Sequence, residues 1–322
     1  MCRVICLGEV LFDCIANDLG VTMDRVQSWK SYVGGAPANV ASALAKLGTS
    51  AAMVGCIGED VLGDSAYRYL TQQGVSTQGI QKTSQFPTRQ VYVLRSLEGD
   101  RFFAGFSQPY PDAFADAYLR ATRLPERLFV EAEYLVIGTL ELAYPQSREA
   151  VFQALELADR YHLKIFLDVN HRPVFWENPN LAKPIIKQLY PRIDFLKLSA
   201  EEALWLFDTQ DAAEISQEVD TAEGIFVTDG SKEVSYVLSE QIGKVQPLSV
   251  AVKDTTGAGD GFVAGIIHQL TQYRLIEVEN PETARKIVSY GCAVGSFVTT
   301  KEGAMAAQPT AAELKRFIRD LF

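Results

Sequence analysis

From Tyr134 onward, short apolar runs alternate with longer segments of helical periodicity at a regular spacing. The runs at residues 134–137, 164–167 and 195–198 are typical of buried strands, and a helical segment follows each of them. Parallel strands need such crossover segments, because a tight turn can join only antiparallel neighbours. The sequence therefore predicts an α/β fold in which helices cover both faces of a central, mostly parallel sheet.

An antiparallel element interrupts this alternation in the first third of the chain. Two strand-like runs within residues 90–106 flank Glu98-Gly99-Asp100, which is typical of a hairpin with a small turn. Residues from about 14 to 33 are only weakly periodic. Since no linker or repeat divides the chain, we expect one domain spanning residues 1–322, with a small β lid formed by about 14–33 and 86–107.

A glycine-rich turn at residues 254–261 precedes a helical pattern and reads Asp-Thr-Thr-Gly-Ala-Gly-Asp-Gly. Glycines let the backbone approach a ligand closely, and the free N–H groups at a helix start suit a phosphate. Asp260 beside such a site is either a helix cap or a general base that takes a proton from an attacking hydroxyl group. An ordinary Asp pKa of about 3.9 would keep it ionised at neutral pH.

Charge and composition exclude several classes of protein. The 322 residues carry a formal net charge of -10, which argues against nucleic acid or an anionic membrane as the main partner. No apolar run is long enough to span a membrane and the N-terminus does not read as a signal peptide, so we expect a cytoplasmic protein. The five scattered cysteines indicate buried free thiols rather than a zinc site or a disulfide framework.

Polar residues cluster where the predicted strands end. The apolar run at residues 4–8, which ends in glycine, predicts a buried first strand. Asp13 follows shortly after it and is either a turn residue or an acceptor for a substrate hydroxyl group. Asn39 lies in the predicted helix that follows Gly34-Gly35, where it either packs on the sheet or contacts the same substrate as Asp13. The other clusters occupy residues 168–172, 197–202 and 228–230. Because the carboxyl ends of parallel strands share one edge of a sheet, these clusters predict a polar groove along that edge.

Arg172 and Glu202 are the charged residues of this groove with the clearest chemistry. The planar fork of Arg172 suits a phosphate or a carboxylate. Glu202 is either an ordinary first-turn helix residue or a Mg²⁺ ligand acting through water, since Mg²⁺ prefers carboxylates and retains its waters. In the lid, Arg89, Arg95 and Arg101 are either solvated strand residues or ligand contacts.

Several stretches resemble signatures of the ribokinase-like, or PfkB, carbohydrate kinases. Residues 34–39, Gly-Gly-Ala-Pro-Ala-Asn, are similar to the first signature of that family, and residues 254–261 are similar to the second. Residues 168–172 resemble its Asp-x-Asn-x-Arg stretch. The resemblance covers essentially the whole chain. Within the family, residues 197–202 and the tail at 299–310 are similar to fructokinases.

The resemblance implies a ribokinase-like fold and an ATP-dependent sugar kinase. The implied catalytic residues are Asp260 as base, the N–H groups of Gly257, Ala258 and Gly259 on the transferred phosphoryl group, and Arg172. The implied sugar ligands are Asp13, Gly34, Gly35, Asn39, Arg89 and Asp260. The implied ATP site comprises Lys197, Thr228, Gly230, Gly257, Gly259, Cys292 and Ser296. The implied ions are Mg²⁺ through Glu202 and, as in some relatives, K⁺ at Asp254 and Thr256.

The most specific expectation is transfer of the γ-phosphoryl group of ATP to D-fructose, giving fructose 6-phosphate. The alternative acceptor is 2-keto-3-deoxygluconate or another sugar acid, whose carboxylate would need an extra cation in the lid. A catalytically silent kinase fold serving as an interaction protein is the alternative from another class, although Asp260 and the glycine-rich turn are intact. The exposed edge of the lid also predicts a homodimer in which a partner lid covers it.

Overall fold

The structure, a computed structural model, describes residues 2–97, 101–273 and 275–321. Its strands are β1 (Val4–Leu7), β2 (Leu11–Leu19), β3 (Trp29–Gly34), β4 (Ala51–Gly58), β5 (Ser76–Thr83), β6 (Gln90–Arg95), β7 (Arg101–Phe106), β8 (Tyr134–Ile137), β9 (Lys164–Asp168), β10 (Phe195–Ser199), β11 (Gly224–Thr228), β12 (Val234–Leu238) and β13 (Gln241–Val245). Its α-helices are α1 (Ala36–Leu47), α2 (Val61–Gln72), α3 (Glu126–Glu131), α4 (Pro145–Tyr161), α5 (Ala182–Lys187), α6 (Ala200–Phe207), α7 (Ala212–Glu218), α8 (Ala258–Leu270), α9 (Leu275–Val278), α10 (Pro281–Thr299), α11 (Ala304–Ala307) and α12 (Ala311–Leu321). Short 3-10 helices lie at Met23–Arg25, Ala115–Tyr118, Ala121–Arg123, Glu141–Ala143, Pro173–Phe175, Pro179–Leu181 and Tyr190–Arg192. Among the described residues, no helix is both long enough and apolar enough to cross a membrane.

The larger of the two sheets has nine strands in the order β13-β12-β11-β10-β9-β8-β1-β4-β5. The strands from β11 to β5 pair in parallel, whereas β12 and β13 add an antiparallel end. The carboxyl ends of the parallel strands therefore meet along one edge. The predicted α/β fold with a mostly parallel central sheet is confirmed.

Strand β1 explains why helices cover both faces of this sheet. Val4 and Cys6 pack into a core shared with α1, α8 and α10, while Ile5 and Leu7 pack into a second core shared with α4 to α7. All four side chains are fully buried. A strand buried on both faces reads as a continuous apolar run, which is the pattern that the sequence shows.

A second sheet, of four strands in the order β3-β2-β6-β7, lies where the lid is expected. Strand β2 pairs in parallel with β6 and antiparallel with β3. It begins at Leu11, so the sheet starts earlier than the predicted residue 14, and Asp13 lies within a strand rather than in a turn. The turn predicted at Glu98-Gly99-Asp100 lies outside the described residues.

Helix α8 carries the glycine-rich turn to the carboxyl edge of the large sheet. It packs so closely on α10 that a Cβ atom built on Gly265 would lie 2.8 Å from the Cα atom of Gly291. Phe262 contacts Phe226 of β11 edge-on, with ring centroids 5.8 Å apart. Packing against both the sheet and a neighbouring helix fixes where α8 begins, and this start is the centre of the candidate site.

Candidate active site

The start of α8 presents backbone N–H groups to the carboxyl edge of the sheet. Gly257 adopts the left-handed conformation (φ 79°), and the helix begins after it with no side-chain cap. The N–H group of Ala258 donates to the carbonyl of Thr255 at 3.2 Å, so one predicted donor already has a partner. The N–H groups of Gly259 and Asp260 have no acceptor among the described residues. These two free donors suit an anion.

Asp260 is buried in the first turn of α8 and bonded to Asn39 of α1. Nδ2 of Asn39 donates to Oδ2 of Asp260 at 2.8 Å, across 221 positions of sequence. Burial and the Asp168 carboxylate raise the pKa of Asp260 to about 7, and the hydrogen bond from Asn39 opposes this rise. The expectation of an ordinary Asp pKa is therefore wrong. A carboxyl group that titrates near neutrality is well suited to general-base work.

Lys197 of β10 brings a buried cation to the same corner. Its Nζ atom donates to Oδ1 of Asp168 at 3.0 Å, and both side chains are at most 8% exposed. A Cβ atom built on Gly259 would lie 2.9 Å from this Nζ atom, so the ammonium group borders the glycine-rich turn. Although burial opposes the charged form, the Asp168 and Glu202 carboxylates raise the pKa of Lys197. The free N–H groups and this ammonium group are hydrogen-bond donors that suit a phosphate, although Asp168 already balances the charge of Lys197.

A cavity of about 580 Å³ opens beside this corner, between the carboxyl edge of the large sheet and the lid sheet. Its size is in the range of small-molecule sites. Its polar lining includes Glu9, Asp13, Asn39, Arg101, Thr139, Asn170, Arg172, Lys197, Thr255, Thr256 and Asp260. Its apolar lining includes Leu11, Val91, Val93, Phe102 and Phe103 of the lid sheet. Of the predicted site residues, it collects Asp13, Gly35, Asn39, Arg172, Lys197, Thr256, Gly257, Gly259 and Asp260.

The side of the cavity next to α1 is held by close backbone contacts. Gly35 has φ 105°, and a Cβ atom there would lie 2.3 Å from the carbonyl oxygen of Glu9, so only glycine fits. Oε1 of Glu9 accepts the N–H group of Ala36 at 2.6 Å and so caps the start of α1. A Cβ atom on Gly34 would lie 2.7 Å from Oδ2 of Asp13, which places Gly34 at this side too. Burial raises the pKa of Asp13 to about 6.

Arg89 is not a sugar ligand in this structure, so that prediction is wrong. Its guanidinium group is fully buried and donates to both carboxylate oxygens of Asp116 at 2.6 Å and to the hydroxyl of Tyr144 at 3.0 Å. The rings of Phe106 and Phe114 also flank it. Arg89 therefore anchors the base of the lid sheet to the core and does not line the cavity.

Arg101 is the lid arginine that lines the cavity. Its Nη1 atom donates to the hydroxyl of Thr256 at 2.6 Å, and its Nη2 atom donates to Oδ2 of Asp254 at 2.9 Å. The two side chains predicted to bind K⁺ thus bind a guanidinium group instead. Arg95 donates to the lid carbonyls of Ala16 and Asn17.

Glu202 has a structural partner for each carboxylate oxygen. Oε2 accepts the N–H group of Ser199 at 2.8 Å, and the Ser199 hydroxyl accepts the N–H group of Glu202, which forms a capping box at the start of α6. Oε1 accepts the N–H group of His171 at 2.7 Å. Glu202 does not line the cavity, and the described residues contain no cluster of three or more His, Cys, Asp or Glu side chains that could hold a metal. These contacts do not fit a direct Mg²⁺ ligand, and a contact through water stays a prediction.

The family profile described as pfkB family carbohydrate kinase matches residues 1–311. The chain belongs to the pfkB family of carbohydrate kinases. Probable fructokinase-3 of Arabidopsis thaliana is 31% identical over 320 residues, which cover 98% of this chain and 91% of that protein. The structure of Xylella fastidiosa fructokinase with bound ATP has a TM-score of 0.88 at 30% identity, covering 99% of this chain and 98% of that one. A double mutant of fructokinase from Vibrio cholerae O395, in a fructose, ADP and potassium ion bound form, has a TM-score of 0.84 at 28% identity over 98% of both chains.

Four of the seven predicted nucleotide residues of this pfkB kinase do not line the cavity. Thr228 is the last residue of β11 and Gly230 follows it, while Cys292 and Ser296 are buried in α10. A Cβ atom on Gly295 would lie 3.0 Å from the carbonyl of Ala258, so α10 borders the start of α8. An open depression of about 710 Å³ lies against β11 and β13, but no predicted catalytic residue lines it. A nucleotide contact by these four residues stays a prediction.

The sequence analysis missed one residue of the candidate site, Glu9, and the partner of another, Arg101. Glu9 lines the cavity and caps α1, and burial raises its pKa above the ordinary range. Its position directly after the glycine that ends the first apolar run could have drawn attention to it. Arg101 was recognisable as a lid cation, but its partner Asp254 is 153 positions away and no local pattern reveals the pairing.

Proposed function

We propose that this pfkB kinase transfers the γ-phosphoryl group of ATP to D-fructose, giving fructose 6-phosphate. The observation that carries the proposal is the juxtaposition of the Asp260 carboxyl group with the free N–H groups at the start of α8, on the wall of a sugar-sized cavity. Probable fructokinase-3 of Arabidopsis thaliana and the fructokinase of Xylella fastidiosa support it through identities of 31% and 30% over almost the whole chain.

In the proposed mechanism, these groups remove a proton from the sugar and stabilise negative charge on the transferred phosphoryl group. Asp260 takes the proton of the attacking sugar hydroxyl, a contribution of about 10²–10⁴-fold in typical enzymes. The N–H groups of Gly259 and Asp260, with Lys197, stabilise the negative charge of the transferred group, and preorganised donors contribute about 10²–10³-fold each. Phosphoryl transfer depends on such positioning and charge stabilisation rather than on covalent catalysis. Arg172, on the exposed wall of the cavity, is the further cation for the phosphate.

A neutral sugar is favoured over a sugar acid. A substrate carboxylate would need a free cation in the lid sheet, yet Arg101 is already paired with Asp254 and Arg89 with Asp116. A hexose instead needs hydroxyl partners, and Asp13 and the buried Asn39 carbonyl oxygen, which has no partner among the described residues, can supply them. Among the described residues, the lid sheet therefore offers no unpaired arginine beside the cavity for a substrate carboxylate.

ATP is the proposed donor because the Xylella fastidiosa relative is described with bound ATP. Mg²⁺ would accompany the nucleotide and meet the protein through ordered water, since this ion retains its waters. The Vibrio cholerae relative is described with a potassium ion. In the present chain the predicted K⁺ ligands Asp254 and Thr256 are bonded to Arg101, so their side chains do not fit that ion.

The lid sheet also supports a proposed homodimer. Within the described part of the chain its outer strands β3 and β7 each pair with one other strand, and exposed edges favour pairing with another chain. Phe102 and Leu19 expose 48% and 43% of their surface on this sheet. Sedimentation velocity at micromolar concentration tests the proposal, and a purely monomeric species would remove it.

The test of the proposed function is ADP release from Mg·ATP with fructose, glucose, ribose, adenosine and 2-keto-3-deoxygluconate. We expect the highest kcat/KM with fructose. A preference for the sugar acid would contradict the argument from the paired lid arginines. ATP turnover without response to any acceptor would favour the catalytically silent interaction protein instead.

A further inference from the structure

The carboxylate of Asp254, at the base of the glycine-rich turn, has four hydrogen-bond donors. Oδ1 accepts the N–H group and the hydroxyl of Thr256, at 3.0 and 2.7 Å. Oδ2 accepts the N–H group of Gly303 at 2.8 Å and Nη2 of Arg101 at 2.9 Å. The Asp254 side chain is only 2% exposed. A buried carboxylate needs a counter-ion, and the guanidinium group provides it.

Arg101 reaches this carboxylate from the lid sheet. It is the first residue of β7, the outer strand that follows the predicted lid turn. Because its Nη1 atom also donates to Thr256, its planar fork bridges two side chains of one turn. That turn continues directly into Gly257 and the free N–H groups of α8. A lid residue therefore holds the segment that carries the anion-binding donors.

A monovalent cation does not fit this arrangement. Each oxygen of Asp254 already has two donors, and the Thr256 hydroxyl both donates to Asp254 and accepts from Arg101. A cation at these side chains would have to displace the guanidinium group, which carries the same charge. We propose that Arg101 takes the place of a monovalent cation in this enzyme, so that closure of the lid orders residues 254–259 for phosphoryl transfer.

This arrangement couples two events of the catalytic cycle. Closing the lid covers the acceptor sugar and, in the same movement, neutralises Asp254 and fixes the turn before Gly257. When the lid opens, the turn loses its counter-ion, and ATP held without a sugar is less exposed to transfer to water. Arg101 is thus a positioning residue. The rate measurement that tests this inference rests on the proposed function, because it needs a sugar that the enzyme phosphorylates. The melting measurement does not depend on the proposed function.

The test compares the wild type with Arg101→Ala in tetramethylammonium buffer, alone or with added guanidinium or K⁺. We expect the variant to lose at least about tenfold in kcat, because one misplaced anion-hole donor costs about 10²–10³-fold. Added guanidinium at about 20 mM refills the vacated place and restores kcat at least about fivefold in the variant, while the wild type stays within about 1.5-fold. Without substrates, guanidinium or K⁺ raises the melting temperature of the variant alone, by about 2 °C or more.

Arg95→Ala is the matched control, since it removes the same charge from the same sheet but donates to the lid carbonyls of Ala16 and Asn17. We expect no cation response from it in rate or melting temperature. Activation of the wild type by K⁺, equal cation responses in both variants, or no cation response of Arg101→Ala would each overturn the inference. If the wild type phosphorylates no sugar, the proposed function fails, and the melting measurement still decides the inference.

Discussion

Removing the amide group of Asn39 is expected to shift the pH dependence of the enzyme. In the wild type, Nδ2 of Asn39 donates to the buried Asp260 carboxylate at 2.8 Å, which favours the ionised base. A hydrogen bond to a charged group contributes about 1.5–3 kcal/mol, and one pKa unit corresponds to about 1.4 kcal/mol. Asn39→Ala therefore raises the pKa of Asp260 by roughly 1–2 units above its wild-type value of about 7.

The sign of the effect follows from which form is active. Only the ionised carboxylate accepts a proton, so kcat/KM falls as the pH drops through the pKa of Asp260, and a higher pKa moves this acid limb upward. At pH 7.5 the ionised fraction decreases roughly three- to 25-fold in Asn39→Ala, and activity recovers toward pH 9.5. The assay is coupled ADP release with fructose from pH 5.5 to 9.5, with the coupling enzymes in excess at each pH.

Ser42→Ala is the control, since Ser42 lies one turn further along α1 and its buried hydroxyl has no hydrogen-bond partner in the described part of the chain. Its acid limb is expected to match the wild type. An Asn39→Ala acid limb within about 0.3 unit of the wild type would show that the amide does not stabilise the ionised Asp260, because a hydrogen bond to the base cannot be lost without a larger shift. A loss of kcat/KM that is equal at all pH values would show that Asn39 binds the sugar and does not tune the pKa of Asp260.

The remaining predictions concern stability and the glycine-rich turn. Arg89→Met leaves the buried Asp116 carboxylate unpaired and is expected to lower the free energy of unfolding in urea by about 3–5 kcal/mol; a loss below about 1 kcal/mol would contradict a buried pair. Gly257→Ala puts a Cβ atom 2.8 Å from the Cα atom of Ala304 at a positive φ, and is expected to lower single-turnover rates at least about 10²-fold. Gly74→Ala, also at positive φ but distant from the cavity, is expected to lose stability and keep the wild-type rate; equal rate losses would show that the effect is not local.

The regular part of the fold was predictable because its strands are buried on both faces. The residues of β1 and β8 form unbroken apolar runs, and the helices between the parallel strands carry the expected periodicity. Strand β5, with the sequence STQGIQKT, was missed because it lies at the edge of the sheet and is largely polar. Strand β2 was missed in part because it starts only a few residues after β1.

The parts of the site that lie within one short stretch of sequence were predictable. Asp260 and the glycine-rich turn lie within one short stretch, so their chemistry can be inferred from spacing alone. The roles of the arginines depend on partners distant in sequence: Arg89 is neutralised by Asp116 and Arg101 by Asp254. The raised pKa of Asp260 likewise comes from burial and from Asp168, which the linear sequence does not reveal.

The most direct test of the catalytic account is fructose phosphorylation by Asp260→Asn, measured together with its affinity for ATP. Asparagine keeps the size of the side chain and removes its ability to take a proton. We expect kcat to fall by about 10²–10⁴-fold, while the dissociation constant for ATP stays within about threefold of the wild type. A variant that keeps more than about a tenth of the wild-type kcat would contradict the role of Asp260 as general base.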